Sequence, residues 1–480
     1  MPHINPSKMS EEFEGEFSEN LTEILASFES MLSKNEVYFF DVEQFEDIFD
    51  HYYSKNKISK AERSIRIGLM QHPFSNELKL RLVQIYIKKK KYNEALALLR
   101  EIETTEAFNP DIYILRAEIY GDLEKTDLAV ENYLKALEFL DKEEHDYIYI
   151  DIANEYQNSG DFENSLKYLK KALRLNPTNE MAFLEVLFCF QVTEKLIEGA
   201  DFFNQLINQD PYNQLAWFHL GLCYYDLGLY DKSVEAFDYC IVINENSYEA
   251  YSQKAEGLIA MENYSSAIEV LKELLDKDRI SALTYYTLGE CYENLEDLEN
   301  ALHYYRLSVK ENDGFSDGYL GIGSTLYKMN RRGEGVHFIE KAIKIDPQNV
   351  DANFELAKIK HGEGLYKEAL DLCEKIIDID NSFPEFWIQY SETLFESGDE
   401  LGAIEMVQEG IKIFPNSAEL RFRLAAFYHT TGKLQQAYEF IHEGLALDYA
   451  AMKSFFQFVP YAVQDQNILN IIESYNENEN

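Results

Sequence analysis

A small side chain recurs every 34 residues along almost the whole chain, and this spacing constrains the fold more than any other feature of the sequence. Each step is 34 residues except the step from Ala129 to Ser165, which is 36. A fixed period in this range indicates stacked supersecondary units, each of which buries its apolar face against its neighbours. The twelve positions are Ala61, Ala95, Ala129, Ser165, Gly199, Ser233, Ala267, Ala301, Gly335, Ala369, Ala403 and Ala437.

The repeat that begins at Gln214 shows most clearly what one unit contains. Its apolar residues recur at spacings of three and four on both sides of Gly228, which indicates two amphipathic helices joined by a tight turn. Proline takes the same phase near the end of five repeats, where it stops the second helix. The first helix contributes Trp217, Leu220 and Tyr224, and the second contributes Ser233, Phe237 and Cys240.

These residues and their spacing resemble the tetratricopeptide repeat, a helix–turn–helix unit with Trp, Leu-Gly, Tyr, Ala, Phe and Pro at set positions. The resemblance covers Val42 to Ala451. It implies an all-α fold, a right-handed superhelical solenoid of stacked helix–turn–helix repeats whose first helices line a concave groove. The repeats begin at Val42, Asn76, Pro110, Asp146, Glu180, Gln214, Tyr248, Ala282, Ser316, Val350, Pro384 and Ala418.

The unbroken phase predicts one continuous array with additional segments at its two ends. We expect an acidic, mobile segment over 1–20, a helical cap over 21–41 and twelve repeats over 42–451. Capping helices over 452–475 and a frayed tail over 476–480 complete the chain. The repeat that begins at Ser316 contains five glycines, and we expect it to be locally soft because glycine weakens helix interiors.

The charge of the chain limits the class of partner. There are 44 Lys and Arg residues against 86 Asp and Glu residues, a formal net charge of −42. This balance opposes binding to nucleic acid and to anionic membrane surfaces, both of which require clustered cations. It favours basic or neutral protein partners. Solubility of a long solenoid accounts for the same composition equally well.

The cysteines and the N-terminal sequence bear on the compartment. Five isolated cysteines form no C-x-x-C pair, which favours a reducing environment. No signal peptide is visible at the N-terminus, and no run of 18 or more apolar residues predicts a membrane span. We therefore expect a cytoplasmic protein without membrane insertion.

No pattern in the sequence indicates catalysis, a cofactor or a metal. None of the ten histidines forms H-E-x-x-H or another zinc spacing. His361 and His429 share a repeat position, and hydrated side chains explain them better than a metal site does. The Lys88–Lys91 run lies in a turn, and exposure of these side chains to solvent explains it better than an anion site does. We expect no enzyme activity and no cofactor.

The resemblance places partner contacts at the second, fifth, ninth, twelfth and thirteenth positions of each repeat. No fifth position is Lys, so the clamp by which some family members hold a chaperone's C-terminal carboxylate is absent. What remains is an apolar stripe followed by acids, which suits a protein or peptide segment with apolar and basic residues. The candidate residues are Leu184, Phe188, Leu215, Phe218, Leu222, Tyr225, Glu249, Glu256, Tyr286, Glu290, Glu293, Phe395 and Glu396.

Two interpretations of these residues remain open. The apolar residues either contact a partner, or they pack against adjacent repeats as core or lie beneath a tail that folds back over them. The function that we expect is a non-catalytic scaffold that holds a partner segment in its groove. The alternative is a regulatory or assembly subunit of an enzyme complex whose catalytic chain is separate.

Overall fold

The computed structural model describes residues 21–34, 36–277 and 281–476. These residues form α-helices and three short 3₁₀ segments, and they contain no strand. Successive helices pair as helix–turn–helix units, which confirms the predicted all-α repeat fold. The predicted mobile segment at 1–20 and the tail beyond Asn476 lie outside the described residues.

The chain divides into two compact units between Asn244 and Glu245, whereas the sequence predicts one uninterrupted array. Because each repeat contacts only its neighbours, an array of this length can divide between repeats without any linker. The helices of the first unit are α1 (21–34), α2 (Val42–Ser54), α3 (Ile58–Gln71), α4 (Asn76–Lys88), α5 (Tyr92–Glu103), α6 (Pro110–Asp122), α7 (Thr126–Ala136), α8 (His145–Asn158), α9 (Phe162–Leu175), α10 (Glu180–Val192), α11 (Leu196–Gln209), α12 (Gln214–Asp226) and α13 (Tyr230–Ile243).

The second unit continues the same alternation of first and second helices and ends in shorter segments. Its helices are α14 (Tyr248–Ala260), α15 (Tyr264–Asp276), α16 (Ala282–Asn294), α17 (Leu298–Glu311), α18 (Ser316–Lys328), α19 (Arg332–Ile345), α20 (Val350–Gly362), α21 (Tyr366–Ile379), α22 (Pro384–Glu396), α23 (Glu400–Ile413), α24 (Ala418–Thr430), α25 (Leu434–Leu447), α26 (Lys453–Phe458) and α27 (Gln466–Asn476). The division of the chain into caps, repeats and tail stays a prediction.

Side-chain caps explain where many first helices begin. Asn179, Asn213 and Asn349 each precede a first helix, and each accepts a hydrogen bond from the backbone N–H three residues further on, at 2.8 to 3.0 Å. Such a cap satisfies one of the N–H groups that a helix N-terminus leaves without a partner. The local sequence therefore sets the start of these helices before any tertiary contact forms.

The turn inside each repeat passes through one left-handed residue. The residue after it donates its backbone N–H to a carbonyl in the last turn of the first helix. Lys57 donates to Tyr52 in this way and Leu229 donates to Tyr224, both at 2.8 Å. Five repeats place glycine there and seven do not. The twelve residues are Asn56, Lys90, Glu124, Gly160, Glu194, Gly228, Glu262, Glu296, Asn330, Gly364, Gly398 and Gly432.

The small residues that define the period are all buried, as their spacing predicts. They lie where the second helix of a repeat crosses the first. In the repeat that begins at Gln214, the Ser233 hydroxyl donates to the Gly221 carbonyl at 2.8 Å. A Cβ on Gly221 would lie 2.7 Å from the Phe237 ring, so a larger residue would force the helices apart.

The first helices form the inner face of each unit. In the first unit α2 contacts α4, α4 contacts α6, α8 contacts α10 and α10 contacts α12, while second helices of successive repeats make fewer such contacts. The predicted two-residue insertion forms the 3₁₀ segment Lys142–Glu144, which lies between α7 and α8. We call the side lined by first helices the first-helix face.

The glycine-rich repeat shows close packing. Gly318, Gly321 and Gly323 are buried in α18, and a Cβ on Gly323 would lie 2.8 Å from the carbonyl oxygen of Gly335 in α19. The backbones of α18 and α19 therefore meet with no side chain between them. These glycines permit the close approach, whereas their number within one repeat predicts local softness.

Candidate functional site

An exposed apolar stripe runs along α10 on the first-helix face of the first unit. Leu184 and Phe188 are 56% and 44% exposed. Met181 and Val192 are exposed on the same helix at spacings of three and four, and the groove prediction omitted them. These four residues, the apolar stripe, lie at the surface and are not core, unlike their buried neighbour Leu187.

The predicted residues on α12 are more buried than those on α10. Leu215 and Leu222 are half-buried and pack against the core of the first unit. The Phe218 ring lies 5.6 Å from the Phe237 ring, and Tyr225 contacts Tyr230 at 5.3 Å. These four residues therefore combine packing within the unit with a partly open surface.

Four carboxylates that are not among the predicted site residues lie on α6 and α8 of the first unit. Glu118 and Asp122 belong to α6, and Asp151 and Glu155 belong to α8. Neighbouring protein groups crowd around Glu118, although part of its side chain stays exposed. Reduced hydration and the nearby charges of Asp151 and Asp122 raise the pKa of its carboxyl group to about 7. Burial raises the pKa of Asp151 to about 6. We call these four residues the acidic patch.

A glycine allows the two helices of the acidic patch to meet. A Cβ on Gly121 would lie 2.3 Å from Glu155 Oε1, so the Glu155 carboxylate occupies the space that a side chain would fill. Burial, Asp122 and Asp151 raise the pKa of Glu155. The crowding of like charges means that a cation placed here would relieve repulsion.

The acidic patch and the apolar stripe lie on successive first helices. Helix α8 contacts α10, and Gln157 Nε2 of α8 donates to Glu185 Oε2 of α10 at 3.0 Å. Phe188 of the stripe contacts Phe162, the first residue of α9, at 6.4 Å between ring centroids. The first unit therefore presents carboxylates and exposed apolar side chains on successive first helices.

The predicted acids of the second unit differ in their surroundings. Glu249 and Glu256 are exposed on α14. Glu290 lies beside Tyr286 on α16, and burial raises its pKa. Glu293 is already engaged, since it accepts hydrogen bonds from Lys328 Nζ at 2.8 Å and from the Tyr305 hydroxyl at 2.6 Å.

Phe395 and Glu396, near the end of the second unit, have partners within their own unit. The Phe395 ring stacks on Phe427 at 4.5 Å and meets the edge of Phe458 from α26 at 5.8 Å. Glu396 accepts a hydrogen bond from the Tyr366 hydroxyl at 3.3 Å and lies 3.3 Å from His361 Nε2. Helix α26 therefore covers part of Phe395, a contact that the repeat period does not predict.

The described residues form exposed surfaces that a partner could contact. No cluster of three potential metal ligands occurs among the described residues. All five cysteines are buried, and burial raises the pKa of Cys223, Cys291 and Cys373 to about 12, which keeps these three as thiols. In the part of the chain that the structure describes, no helix is long and apolar enough to cross a bilayer.

Comparison with known proteins gives matches along the array. A tetratricopeptide repeat-like domain profile matches residues 50–173, and tetratricopeptide repeat profiles match 215–247, 253–316 and 316–349. A tetratricopeptide repeat-containing protein of Methanocaldococcus jannaschii is 25% identical over 291 residues, which are 60% of this chain and 47% of that protein. The anaphase-promoting complex subunit CDC16 of Saccharomyces cerevisiae is 22% identical over 344 residues, 69% of this chain and 39% of that subunit.

Among solved structures, the crystal structure of yeast Tom70 covers 87% of this chain and is itself covered over 94%, with a TM-score of 0.48 and 12% identity. The chain spans less than half the length of the two curated relatives described above. Helix pairs that recur with one period and profile matches over more than half of the sequence lead to one conclusion: this chain belongs to the tetratricopeptide repeat family.

Proposed function

We propose that this protein is a non-catalytic scaffold whose first unit binds a protein segment carrying both apolar and basic residues. Tetratricopeptide repeat proteins generally mediate protein–protein interactions and complex assembly, so a protein partner is the starting point. The observation that carries the proposal is that the acidic patch on α6 and α8 and the apolar stripe on α10 lie on successive first helices.

The two surfaces would contribute differently to binding. Exposed Leu184 and Phe188 supply apolar area that a partner can bury, and such anchors dominate interface affinity. The acidic patch would attract Lys or Arg, and pairing with a cation would lower the raised pKa of Glu118. Charges of this kind act mainly on association rate and specificity. The partner segment should therefore place an apolar residue next to a basic one.

Selection from a displayed library of random peptides on the full chain tests this proposal. Enriched sequences should combine Lys or Arg with apolar residues. A selected peptide is then titrated by calorimetry against Phe188→Ala, which should lose about thirty-fold or more in affinity, since truncating an anchor removes ~2–4 kcal/mol. The matched control is Val242→Ala, which removes an exposed apolar side chain from α13.

The acids have a separate readout. Glu118→Gln should slow association of the same peptide and reduce the dependence of its rate on salt. Equal affinity for Phe188→Ala, Val242→Ala and the wild type would remove the apolar stripe as the binding surface.

A second candidate function is a stable subunit of a larger assembly. It is favoured by a relative whose name describes it as a subunit of the anaphase-promoting complex. Purification of the full chain from its native cell distinguishes the two functions. A stoichiometric enzyme that stays bound through size exclusion supports the subunit, and peptide-like ligands that exchange within minutes support the scaffold.

A further inference from the structure

A basic cleft lies beside α9 in the first unit. Residues of the second helices α9 and α11, the turns that precede them and Phe190 of the first helix α10 line about 780 Å³. Its walls carry five cations in a chain with nearly twice as many acids as bases. They are Lys167, Lys170, Lys171 and Arg174 on α9, and Lys195 at the start of α11.

The four cations of α9 form one row. Their spacings of three, one and three place them on a single face of the helix. None of the five cations forms an ion pair with any residue that the structure describes. Three acids also line the cleft, namely Asp161, Glu163 and Glu198. Asp161 is committed to capping α9, where it accepts hydrogen bonds from Asn164 at 3.0 and 2.7 Å.

Aromatic rings hold two of these lysines in place without neutralising them. The Lys170 ammonium lies 4.8 Å from the Phe202 ring centroid and 5.6 Å from that of Phe190. The Lys171 ammonium lies 4.2 Å from the Tyr168 ring centroid. A ring face stabilises a cation but leaves its charge, so the row keeps a net positive field.

The cleft also has apolar walls. Phe162, Leu166 and Phe190 lie among the cations. A ligand that matched only the charge would leave these side chains in water. The lining therefore suits a chain that alternates carboxylates with apolar side chains. An extended segment places every second side chain about 7 Å apart on one side, close to the spacing of successive cations along a helix face.

We propose that this cleft binds an acidic segment of a partner protein that contains Glu or Asp together with an aromatic or aliphatic residue. The charge complementarity of the cationic row and the apolar lining support this occupant. Nucleic acid fits less well, because the net charge of −42 would repel a long polyanion. The proposal does not depend on the proposed function, which concerns other residues and a partner of opposite charge.

The test measures binding of a labelled synthetic peptide to the full chain by fluorescence anisotropy. The probe copies residues 11–19, EEFEGEFSE, which combine five Glu with two Phe. We expect saturable binding that weakens as salt rises from about 50 to 200 mM. The same peptide with Gln in place of Glu should not bind.

Variants locate the binding. Lys167→Glu with Arg174→Glu changes two exposed cations of the row and should reduce affinity by about tenfold or more. The matched control, Lys88→Glu with Lys91→Glu, makes the same charge change on an exposed turn of the first unit and should alter affinity by less than about twofold. Circular dichroism verifies that both variants stay helical.

Two results would overturn the proposal. Equal weakening by both pairs of substitutions would show only unspecific attraction to positive charge. Replacing the five Glu of residues 11–19 by Gln within the full chain provides the other check. A resulting gain in probe affinity would assign the cleft to the chain's own N-terminal segment and not to a partner.

Discussion

The contact between α18 and α19 permits a sharp test of why this array needs small residues. An ideal Cβ on Gly323 would lie 2.8 Å from the Gly335 carbonyl oxygen and 2.9 Å from the Ile339 backbone nitrogen. Both atoms belong to the backbone, so no side-chain rotation can relieve the clash. In Gly323→Ala, therefore, the two helices must move apart.

The expected magnitude follows from two opposing effects. Overpacking a tight contact by one methyl group costs ~1–3 kcal/mol. Alanine in a helix interior gains ~0.5–1 kcal/mol over glycine. The net effect on the free energy of unfolding should be a loss of about 1–2 kcal/mol.

Gly333→Ala is the matched control, because Gly333 is also in this repeat but a Cβ there would meet nothing within 4 Å. This variant should be unchanged or more stable by up to ~1 kcal/mol. Urea unfolding measures both variants. Hydrogen exchange of the peptides that cover 316–345 localises the change, since repeat arrays open segment by segment. If Gly323→Ala matched the control in stability, the close backbone contact would not be what requires glycine.

Three further predictions concern single residues. Because the folded-state pKa of Glu118 is raised to about 7, the folded protein binds this proton more tightly than the unfolded chain, and the resulting contribution to stability is lost as pH rises from about 5 to 8. Glu118→Gln should therefore match the wild type near pH 5 and exceed its melting temperature at pH 8. Arg423→Ala should lose about 1–3 kcal/mol, because Glu392, half-buried and now 2.6 Å from Arg423, would lose its cation; a double variant that also carries Glu392→Gln should recover part of the lost stability. Phe458→Ala should destabilise the second unit by about 2 kcal/mol through loss of its contact with Phe395, as measured by urea unfolding.

The repeat architecture could be predicted because local and tertiary requirements coincide at each position. The small residue that the period places at Ser233 is buried and lies against Gly221, as close helix packing demands. The glycine at Gly228 takes the left-handed conformation that the turn requires. Periodicity reports on contacts that every repeat makes, and for that reason it predicts those contacts well.

The candidate surfaces were less predictable, because they depend on contacts that occur only once. Asp151 and Glu155 occupy the sixth and tenth positions of their repeat, outside the usual groove positions, yet they join Glu118 where α6 and α8 meet. Phe395 occupies a groove position but is partly covered by Phe458, which belongs to no repeat. The spacing of the cations on α9 is visible in the sequence, while their enclosure depends on α11.

The left-handed turn residues are sites at which the thermal stability of this chain can be raised. Seven repeats accept a side chain in a conformation that disfavours L-residues by roughly 1 kcal/mol, and four of the seven are glutamates, at Glu124, Glu194, Glu262 and Glu296. Each sits in a different repeat, so the gains from replacing them by glycine should add. A graded series of variants should then unfold at successively higher temperatures, and each replacement of a glutamate would also lower the excess negative charge by one.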